Sequence, residues 1–407
     1  MLSFHYTARD PASGRVVKST VEADSENAAA KLIKKEGLTP VEITLITASK
    51  FNFNRKGKVK AKDRVLFSRQ LSTLINAGLP LIQSLQQVAS QTQSKPLKVI
   101  INKVISDVEG GATLANSMAK YPQVFNNIYV SLIAAGETSG TLDKALERLA
   151  VQQEKDADLI SKIRGAMMYP VIILLVMVAV VGFMLVKVLP QVQILYSGLK
   201  GAHLPLITSI LLGASHFVIH FWWLMLIVLA VLVVAGTRYA RTGPGKLVVD
   251  KLKMKVWPIG ELFMKVYMAR FSRTAATLVA SGVPLIQVLD ITAQSVNNVH
   301  IAKSIKSAIE KVRAGKALSD SIKGDPNFLE LVPNMIHIGE QSGSLESMLG
   351  KTADYYEKEV DDEIKNISSL IEPVMMIALG IVAFIIVAAI LLPVYSLAGN
   401  SNFTSSI

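Results

Sequence analysis

Cysteine is absent from this chain of 407 residues. Its absence excludes a disulfide-stabilised scaffold, a cysteine-ligated zinc or iron–sulfur site and catalysis by a thiol. Charged residues are also scarce at 18%, whereas apolar residues reach 51% and the mean hydropathy is +0.40. This balance is not that of an ordinary soluble enzyme, and it indicates uncharged segments long enough to cross a bilayer. The length corresponds to roughly two to four domains.

Recognised catalytic patterns are missing as well. The nearest text to a phosphate-binding loop, Gly243–Leu247, lacks its spacing and its Ser or Thr, and no HExxH zinc motif occurs. His216 and His220 share a helix face, which would suit a metal or proton site. We interpret them as interfacial histidines at the end of a span, because no carboxylate is nearby in the sequence. We therefore expect no catalytic residue, no metal and no cofactor.

Three segments are apolar and long enough to span a membrane: 165–189, 204–237 and 372–395. At about 1.5 Å per residue, the uncharged part of the first covers roughly 33 Å, the depth of a hydrocarbon core. In the second we place the crossing at 216–236, after a helical lead-in. The N-terminal Met1–Asp10 has no basic start followed by an apolar core, so we expect no cleaved signal peptide.

The distribution of basic residues predicts the orientation. Lys162 and Arg164 precede the first span, and six Lys or Arg residues follow the second, between Arg238 and Lys255. The last segment, 396–407, has no charged side chain. By the positive-inside rule, the N-terminus is expected in the cytoplasm and the C-terminus outside. The net charge of +12 then reflects the cytoplasmic face of a membrane protein.

An internal repeat covers most of the chain. FSRQLSTLINAGLPLIQSL at Phe67–Leu85 and FSRTAATLVASGVPLIQVL at Phe271–Leu289 agree at 11 of 19 positions, at an offset of 204. GETSGTLDKALERLAVQQEK from Gly136 matches GEQSGSLESMLGKTADYYEK from Gly339 at an offset of 203. The latter offset also relates the prolines that bracket the first and third spans: Pro170 and Pro373, Pro190 and Pro393. Each repeat is thus a cytoplasmic region running into a span.

Both repeats are predicted to be helices joined by tight corners. Apolar residues around Phe67 recur at helical spacing. Gly78 suits the left-handed position after a helix, and Pro80 suits the first turn of the next one. Gly282 and Pro284 repeat this corner.

Longer helices follow these corners and lead into the membrane. Thr141 and Ser344 are predicted to cap the start of one long helix in each repeat. Pro170 and Pro373 lie inside these helices, and we expect each proline to bend its helix.

The N-terminal region 1–46 differs from the repeats. Strand-like segments flank a turn at Asp10–Gly14, and Glu26–Glu36 reads as a short helix before another strand. The pattern predicts a small α+β module of ββαβ order. The remaining expected boundaries are a basic linker at 47–63, the first cytoplasmic repeat at 64–164, a basic cytoplasmic linker at 238–266, the second cytoplasmic repeat at 267–371 and an outer tail at 396–407. We interpret the basic linkers as contacts with the membrane surface or with partners.

Three acidic residues are candidates for a functional role. Glu137 and Glu340 each follow a glycine, and either could accept backbone N–H bonds that shape the structure, contact a partner or bind a cation; we favour the structural role. Glu372 lies at the inner boundary of the third span, where snorkelling towards the headgroups is favoured over contact with a membrane-embedded partner. The full set of candidate partner-binding or bundle-shaping residues is Arg69, Gly78, Pro80, Gly136, Glu137, Gly140, Arg273, Gly282, Pro284, Gly339, Glu340, Gly343 and Glu372.

The paired FSRxLxxLxxAGLPL/FSRxxxTLxxSGVPL and GExSGxL motifs, each before a proline-led span, resemble the PilC/GspF family. The likeness covers essentially the whole chain, including the GLTP text at Gly37–Pro40, although Ser281 stands where the first repeat has Ala77. This resemblance implies a mostly α, polytopic protein of the bacterial inner membrane with two cytoplasmic six-helix bundles and three transmembrane helices.

The same resemblance implies a function that is not enzymatic. Such platform proteins couple a hexameric assembly ATPase to the insertion of pilin or pseudopilin subunits into a filament. Retraction ATPases and other inner-membrane assembly proteins are further implied partners, and the proteins form homo-oligomers in the lipid bilayer. The motif text favours a type IV pilus, with the platform of a type II secretion system as the alternative.

Two other classes are less compatible with the sequence. A membrane transporter would need polar residues along its spans, where they are sparse. A nucleic-acid-binding protein would use the positive charge, but the basic linker at 47–63 has only Phe51 and Phe53 as stacking aromatics, so we expect no nucleic acid.

Overall fold

The structure, a computed structural model, describes residues 2–9, 16–23, 26–35, 37, 39–45, 58–191, 194, 206–257 and 259–399. The predicted turn at 10–14, most of the linker at 47–63 and most of the tail at 396–407 lie outside the described residues. The chain divides into two compact units, 1–58 and 59–407.

The N-terminal unit is a three-stranded antiparallel sheet with one helix packed on it. Strands β1 (Leu2–Arg9), β2 (Val16–Ala23) and β3 (Thr39–Leu45) lie in the order β2-β1-β3. Helix α1 (Glu26–Lys35) connects β2 to β3. The predicted α+β module is confirmed.

Alternation along the central strand sets the core of this unit. Tyr6 and Ala8 are two residues apart, share a face of β1 and are buried with Ile33 of α1. The pairing of β1 with β3 shifts between Thr7 and Ala8, so that Val41 is an extra residue on β3.

The first repeat folds into six helices, as the family resemblance implies. Two of them begin at side-chain caps: the side chains of Thr113 and Asn126 accept bonds from the N–H groups of Asn116 and Tyr129. The six are α2 (Ala61–Asn76), α3 (Leu81–Gln91), α4 (Lys95–Glu109), α5 (Leu114–Ala119), α6 (Asn127–Ser139) and α7 (Leu142–Phe183).

Aromatic rings fill the centre of this bundle. The ring centroid of Phe125 lies 5.8 Å from that of Phe67 and 4.9 Å from that of Tyr129. The Tyr129 hydroxyl lies 3.2 Å from the hydroxyl of Ser68, so its polar end is satisfied inside the core. Helices α2 and α6 are therefore joined by both ring packing and a buried hydrogen bond.

Helix α7 leaves the bundle and continues through Pro170 into the first apolar segment without a break. The proline that was expected to bend the helix does not end it. Hydrogen bonding changes to the π pattern over Met184–Val188. The Ser215 hydroxyl donates to the Leu185 carbonyl in this turn. This bond matters in hydrocarbon, where water cannot satisfy a free carbonyl.

The second span is helix α8 (Leu206–Tyr239), which contains a kink. Phe221 has φ −115° and ψ 17°, outside the helical region. The described part of the predicted lead-in, 206–215, continues as a helix into the predicted crossing, and the kink at Phe221 lies within that crossing.

The second repeat again has six helices, preceded by an additional one. The additional helix is α9 (Gly243–Lys255). The six are α10 (Ile259–Ala280), α11 (Leu285–Ser295), α12 (Val299–Arg313), α13 (Leu318–Ile322), α14 (Leu331–Ser342) and α15 (Leu345–Gly399).

Helix α9 and the start of α10 occupy much of 238–266, which the charge pattern predicted to be a basic linker. Thr242 caps α9 by accepting a bond of 3.2 Å from the N–H of Gly245. Asp250 is buried in spite of its basic neighbours and accepts a bond of 3.1 Å from the N–H of Val299. This carboxylate links α9 to the start of α12, and α9 also packs on α10.

Among the described residues, three helices are long and apolar enough to cross a membrane: Leu142–Gln191, Ser209–Tyr239 and Leu345–Ala388. No residue of the most apolar stretch of each of these helices is buried within the chain. Together with the two repeats, they confirm the predicted mostly α, polytopic architecture. The first and third spans are continuations of α7 and α15, so the last helix of each bundle is also its membrane span.

Truncating the aromatic core of the first bundle should be strongly destabilising. Phe125→Ala removes a side chain that is 1% exposed, and we expect a loss of about 3–5 kcal/mol in the free energy of unfolding. Denaturant unfolding of the purified full chain in detergent measures it. Leu66→Ala, at a side chain 54% exposed, is the control and should change stability by less than about 0.5 kcal/mol. Equal losses would contradict the described core.

Candidate functional site

The glutamate of the first GExSG motif caps a helix elsewhere in its own repeat. The Glu137 carboxylate accepts bonds of 2.5 Å from the N–H of Leu114 and 2.9 Å from the N–H of Ala115. These are the first two residues of α5, whose N–H groups have no partner inside the helix. The negative charge also lies at the positive end of the α5 dipole. Glu137 therefore ties α6 to the start of α5.

Glu340 has the same role in the second repeat. Its carboxylate accepts bonds of 2.6 Å from the N–H of Leu318 and 2.6 Å from the hydroxyl of Ser319, together with a longer bond of 3.2 Å from the N–H of Ser319. Among the described residues, no group of three or more acidic or histidine side chains could hold a metal ion. Both carboxylates are thus bound by the chain's own donors, which supports the structural role over a partner or cation contact.

The glycines around these glutamates allow close helix packing. A Cβ on Gly136 would lie 2.5 Å from the Cβ of Ala145, and one on Gly339 would lie 2.9 Å from the Cα of Leu345. Gly140 and Gly343 end α6 and α14 with φ of +71° and +67°, a conformation that favours glycine. In each GExSG motif, the first glycine therefore allows a close helix contact, the glutamate caps another helix of the repeat, and the last glycine ends the motif's own helix.

The predicted corners are present in both repeats. Gly78 and Gly282 have φ of +85° and +76°. Pro80 and Pro284 are the N-cap residues of α3 and α11, one position before the predicted first turn. Their rigid φ fixes the direction in which the next helix starts.

Arg69 binds two acidic residues of α7. Its guanidinium donates to both oxygens of Glu154, at 2.6 and 2.5 Å, and to Glu147 at 2.8 Å. The bonds from Ser72 and Arg69 hold the pKa of Glu147 below its ordinary value of 4.5, and the bond from Arg69 does the same for Glu154. In return, these bonds raise the pKa of Arg69. The cluster joins α2 to α7.

Arg273 is the equivalent of Arg69 in the second repeat. It donates to Glu357 at 2.8 Å and also to Asp354 of α15. Glu357 accepts a second bond, of 2.9 Å, from Lys155 of α7. The second cluster therefore includes a residue from the first repeat.

Helices α7 and α15 pack side by side in parallel. Besides Lys155 and Glu357, Lys162 of α7 binds Asp361 of α15 at 2.8 Å. An apolar cluster beside these ion pairs adds to the contact and also includes α10; its members include Leu159, Leu262 and Ile367.

A second group of bonds connects α7 with the end of α10. Arg148 donates to the carbonyl of Ala280 and, at 3.3 Å, to the hydroxyl of Ser281. The Thr277 hydroxyl lies 3.1 Å from Oε1 of Gln152, which is buried. The repeats are thus packed on each other through polar side chains.

A cavity of about 320 Å³, lined by both polar and apolar side chains, lies between the repeats. Asp156, Arg64 and Arg270 line it. Burial raises the pKa of Asp156, and the positive charges of Arg270 and Arg64 oppose this effect. Sequence reasoning missed these residues because none of them belongs to a motif shared by the two repeats.

Glu372 is exposed beside the first span. It borders a crevice of about 300 Å³ together with Tyr169 and Pro170. Tyr169 is its counterpart in the first repeat, so equivalent positions of the two spans face the same crevice. None of the other candidate residues lines this crevice. Glu372 is therefore separate from the helix caps and from the arginine clusters.

Comparison with known proteins identifies the family. The model of the family described as type II secretion system protein F matches residues 67–190 and again 271–393. The model of that family's N-terminal domain matches residues 1–44. The chain belongs to the type II secretion system protein F family.

Relatives within this protein F family come from both pilus and secretion systems. The chain is 37% identical over 403 residues to the type IV pilus assembly protein PilC of Thermus thermophilus, covering 98% of each chain. It is 35% identical over 394 residues to PilC of Myxococcus xanthus, covering 95% of this chain and 93% of that one. It is also 35% identical over 404 residues to the type II secretion system protein F of Pseudomonas aeruginosa, covering 98% and 99%. With three described helices long and apolar enough to cross a membrane, this member of the family is a multi-pass inner-membrane protein.

Adding a methyl group at the motif glycines should destabilise the bundles. Gly136→Ala places a Cβ against Ala145, so we expect a loss of about 1–3 kcal/mol. Gly165→Ala is the matched control, since a Cβ there has no neighbour within 4 Å. Denaturant unfolding of both variants in detergent provides the comparison, and an unchanged Gly136→Ala would argue against the close contact.

Removing the helix-capping carboxylates should have a graded effect. Glu137→Ala leaves two backbone N–H groups of α5 without their acceptor, and we expect a loss of about 1–3 kcal/mol. Glu137→Gln keeps one acceptor oxygen, so its loss should be smaller. Hydrogen exchange at Leu114 and Ala115 reports the site directly: faster exchange is expected in the Ala variant, and unchanged exchange would oppose the capping role.

The Arg69 cluster should contribute to acid sensitivity. Because folding lowers the pKa values of Glu147 and Glu154, their stabilisation is present above about pH 4.5 and is lost as the pH falls through the folded-state values. The side chains are 33–43% exposed, so screening limits the effect to about 1 kcal/mol. Unfolding free energies measured from pH 7 down to about pH 3 should fall less steeply below pH 4.5 in Arg69→Gln than in the unmodified chain. Parallel curves would contradict this assignment.

Proposed function

We propose that this chain is the inner-membrane platform of a type IV pilus assembly system, where it couples a cytoplasmic assembly ATPase to the insertion of pilin subunits into the filament. The observation that carries this proposal is the near full-length similarity to proteins named type IV pilus assembly protein PilC. The architecture fits a mechanical role rather than an enzymatic one. Each six-helix bundle ends in a helix that continues into the bilayer, so movement of a bundle can reach its span.

The second candidate is the corresponding platform of a type II secretion system. It is favoured by the similarity to secretion protein F, which extends over 404 residues at 35% identity. In that case the subunits inserted are pseudopilins. The two candidates differ in the filament and not in the platform's own fold.

The proposed orientation has the N-terminus in the cytoplasm and the C-terminus outside. Helices α7 and α15 are parallel, and α8 lies between them in sequence, so both bundles lie on the same side of the membrane. The basic residues around Lys162 and after Tyr239 support the cytoplasm as that side, by the positive-inside rule.

The partners follow from this role. They are a hexameric assembly ATPase and a retraction ATPase on the cytoplasmic side, pilins or pseudopilins and other inner-membrane assembly proteins, and further copies of the chain; no nucleic acid is included. Glu137 and Glu340 act in this proposal by shaping the bundles, since their oxygens are bound within the chain. Exposed Glu372 remains available to headgroups or to a partner's span.

Deletion of the chain in its own cell tests the function. Loss of surface filaments in electron micrographs, with an assembly ATPase recovered in a pull-down of the tagged chain, is expected. Intact filaments with failed protein export would transfer the assignment to secretion. Neither defect, with no ATPase recovered, would overturn both candidates.

Cysteine labelling tests the orientation, because the chain has no cysteine of its own. Ser405→Cys should react with a membrane-impermeant maleimide in spheroplasts. Lys246→Cys should react only after the membrane is permeabilised. The reverse pattern would invert the proposed orientation.

A further inference from the structure

Helix α9 begins at the membrane boundary, where the second span ends. The Thr242 hydroxyl joins the two helices, because it donates to the carbonyl of Tyr239 at 2.7 Å and accepts a bond of 3.2 Å from the N–H of Gly245. A Cβ on Gly245 would overlap the carbonyl of Tyr239, so the corner is tightly closed. The first turn of α9 is therefore held against the last turn of α8.

The other end of α9 is held at the same level of the membrane. Its corner with α10 is closed by a bond of 2.7 Å from the N–H of Gly260 to the carbonyl of Val256. Phe263, near the start of α10, lines a mostly apolar cavity of about 230 Å³ with Met167 and Ile371. Met167 lies at the start of the first span, and Ile371 directly precedes the third. The start of α10 is therefore level with the entry of both spans into the bilayer.

These two attachments set α9 along the membrane surface. All three spans cross the same bilayer, so the end of α8 and the start of α10 lie near one boundary. Between them, the 13 residues of α9 extend about 20 Å. A helix with both ends at one boundary runs parallel to the bilayer instead of projecting into the solvent. Asp250, which accepts the bond from the N–H of Val299, turns one face of α9 towards the second bundle.

The opposite face of α9 carries exposed apolar side chains. Val248 and Leu252 each lie two residues from Asp250, which places them about 160° from it around the helix. Val248 is 55% exposed and Leu252 is 58% exposed, and Trp257, two residues beyond the helix, is 81% exposed. Large apolar side chains exposed together beside a span indicate a surface that contacts the membrane.

Two exposed lysines share this face. Lys251 and Lys255 lie within about 60° of Val248 around the helix. Asp250 pairs with Lys253 at 3.4 Å, whereas Lys251 and Lys255 have no ion pair among the described residues. Lysines beside apolar side chains are typical of a helix at the surface of an anionic bilayer, because their long side chains reach the phosphates.

We infer that α9 lies in the headgroup region of the leaflet that faces the bundles, with Val248, Leu252 and Trp257 at the acyl boundary. Lys251 and Lys255 bind the phosphates of anionic phospholipids. From the sequence, this basic segment could contact the membrane surface or a partner, and the level of both ends of α9 favours the membrane. The second bundle is consequently attached to the bilayer surface through α9 as well as to the bilayer interior through α15. This contact goes beyond the proposed function and is independent of which filament is assembled.

Fluorescence quenching in the full chain tests this contact, because each cysteine variant carries a single thiol. Val248→Cys is labelled with the fluorophore NBD and reconstituted alone into vesicles of equal parts phosphatidylcholine and phosphatidylglycerol. A nitroxide on the upper acyl chain of the lipid should quench this probe, and aqueous iodide should quench it at least about threefold less than the control. The matched control is Val99→Cys, because Val99 is 56% exposed on α4 of the first bundle. Both positions are on the same side of the bilayer, so mixed insertion affects them equally.

The other outcomes would overturn the assignment. Equal iodide quenching at both positions, with no nitroxide quenching at position 248, would leave this face open for a protein partner. Protection from iodide without nitroxide quenching would indicate that another copy of the chain covers the face. Neither measurement involves filament assembly, so failure of the proposed function would leave this contact standing.

Charge reversal tests the lysines separately. In the labelled Val248→Cys chain, Lys251→Glu with Lys255→Glu should reduce nitroxide quenching at least about twofold, because anionic headgroups repel negative charges at these positions. Lys316→Glu with Lys323→Glu is the matched control and should leave the quenching unchanged, since these exposed lysines follow the end of α12. Equal quenching in the two double variants would overturn the contact with anionic phospholipids.

Discussion

The rest of the structure depends on the uninterrupted passage of α7 and α15 from the cytoplasm into the membrane. Each helix supplies one wall of a soluble bundle and, farther along, one span. A helix can make this transition because all of its backbone bonds are internal, whatever solvent surrounds it. The bundles are therefore attached to the bilayer without a flexible joint. Ion pairs hold these two helices side by side in parallel.

The two bundles are held together by the same kinds of side-chain contact, made with different partners. Arg69 and Arg273 both bind acids on the last helix of their repeat, and Glu137 and Glu340 both cap a short helix. The partners differ, since Glu357 also accepts a bond from Lys155 of the other repeat. Duplicated units have thus acquired contacts that distinguish them, and these contacts join the repeats into one body.

Much of this architecture could be predicted from local patterns. Gly78 and Pro80 encode a turn through their own backbone preferences, and the apolar runs encode spans through length alone. The helical α9 could not be predicted from its charge pattern, because it packs on α10 and α12 and its Asp250 accepts a bond from Val299, far away in sequence. The hydrogen-bond partners of the Glu137 carboxylate could not be predicted either. A side chain can bond its own turn or a distant helix start, and only tertiary packing decides between them.

Helix α15 also has a geometrical consequence. Its bounds, Leu345–Gly399, enclose 55 residues, which at about 1.5 Å per residue make a rod roughly 80 Å long. Such a rod is a lever whose short arm is held by the bundle. A tilt of about 5° at the cytoplasmic end would displace the far end by roughly 7 Å, more than one turn of a helix. A small adjustment in the packing of the bundle is therefore amplified into a displacement, at the far end of the helix, that is comparable with the dimensions of the neighbouring membrane helices.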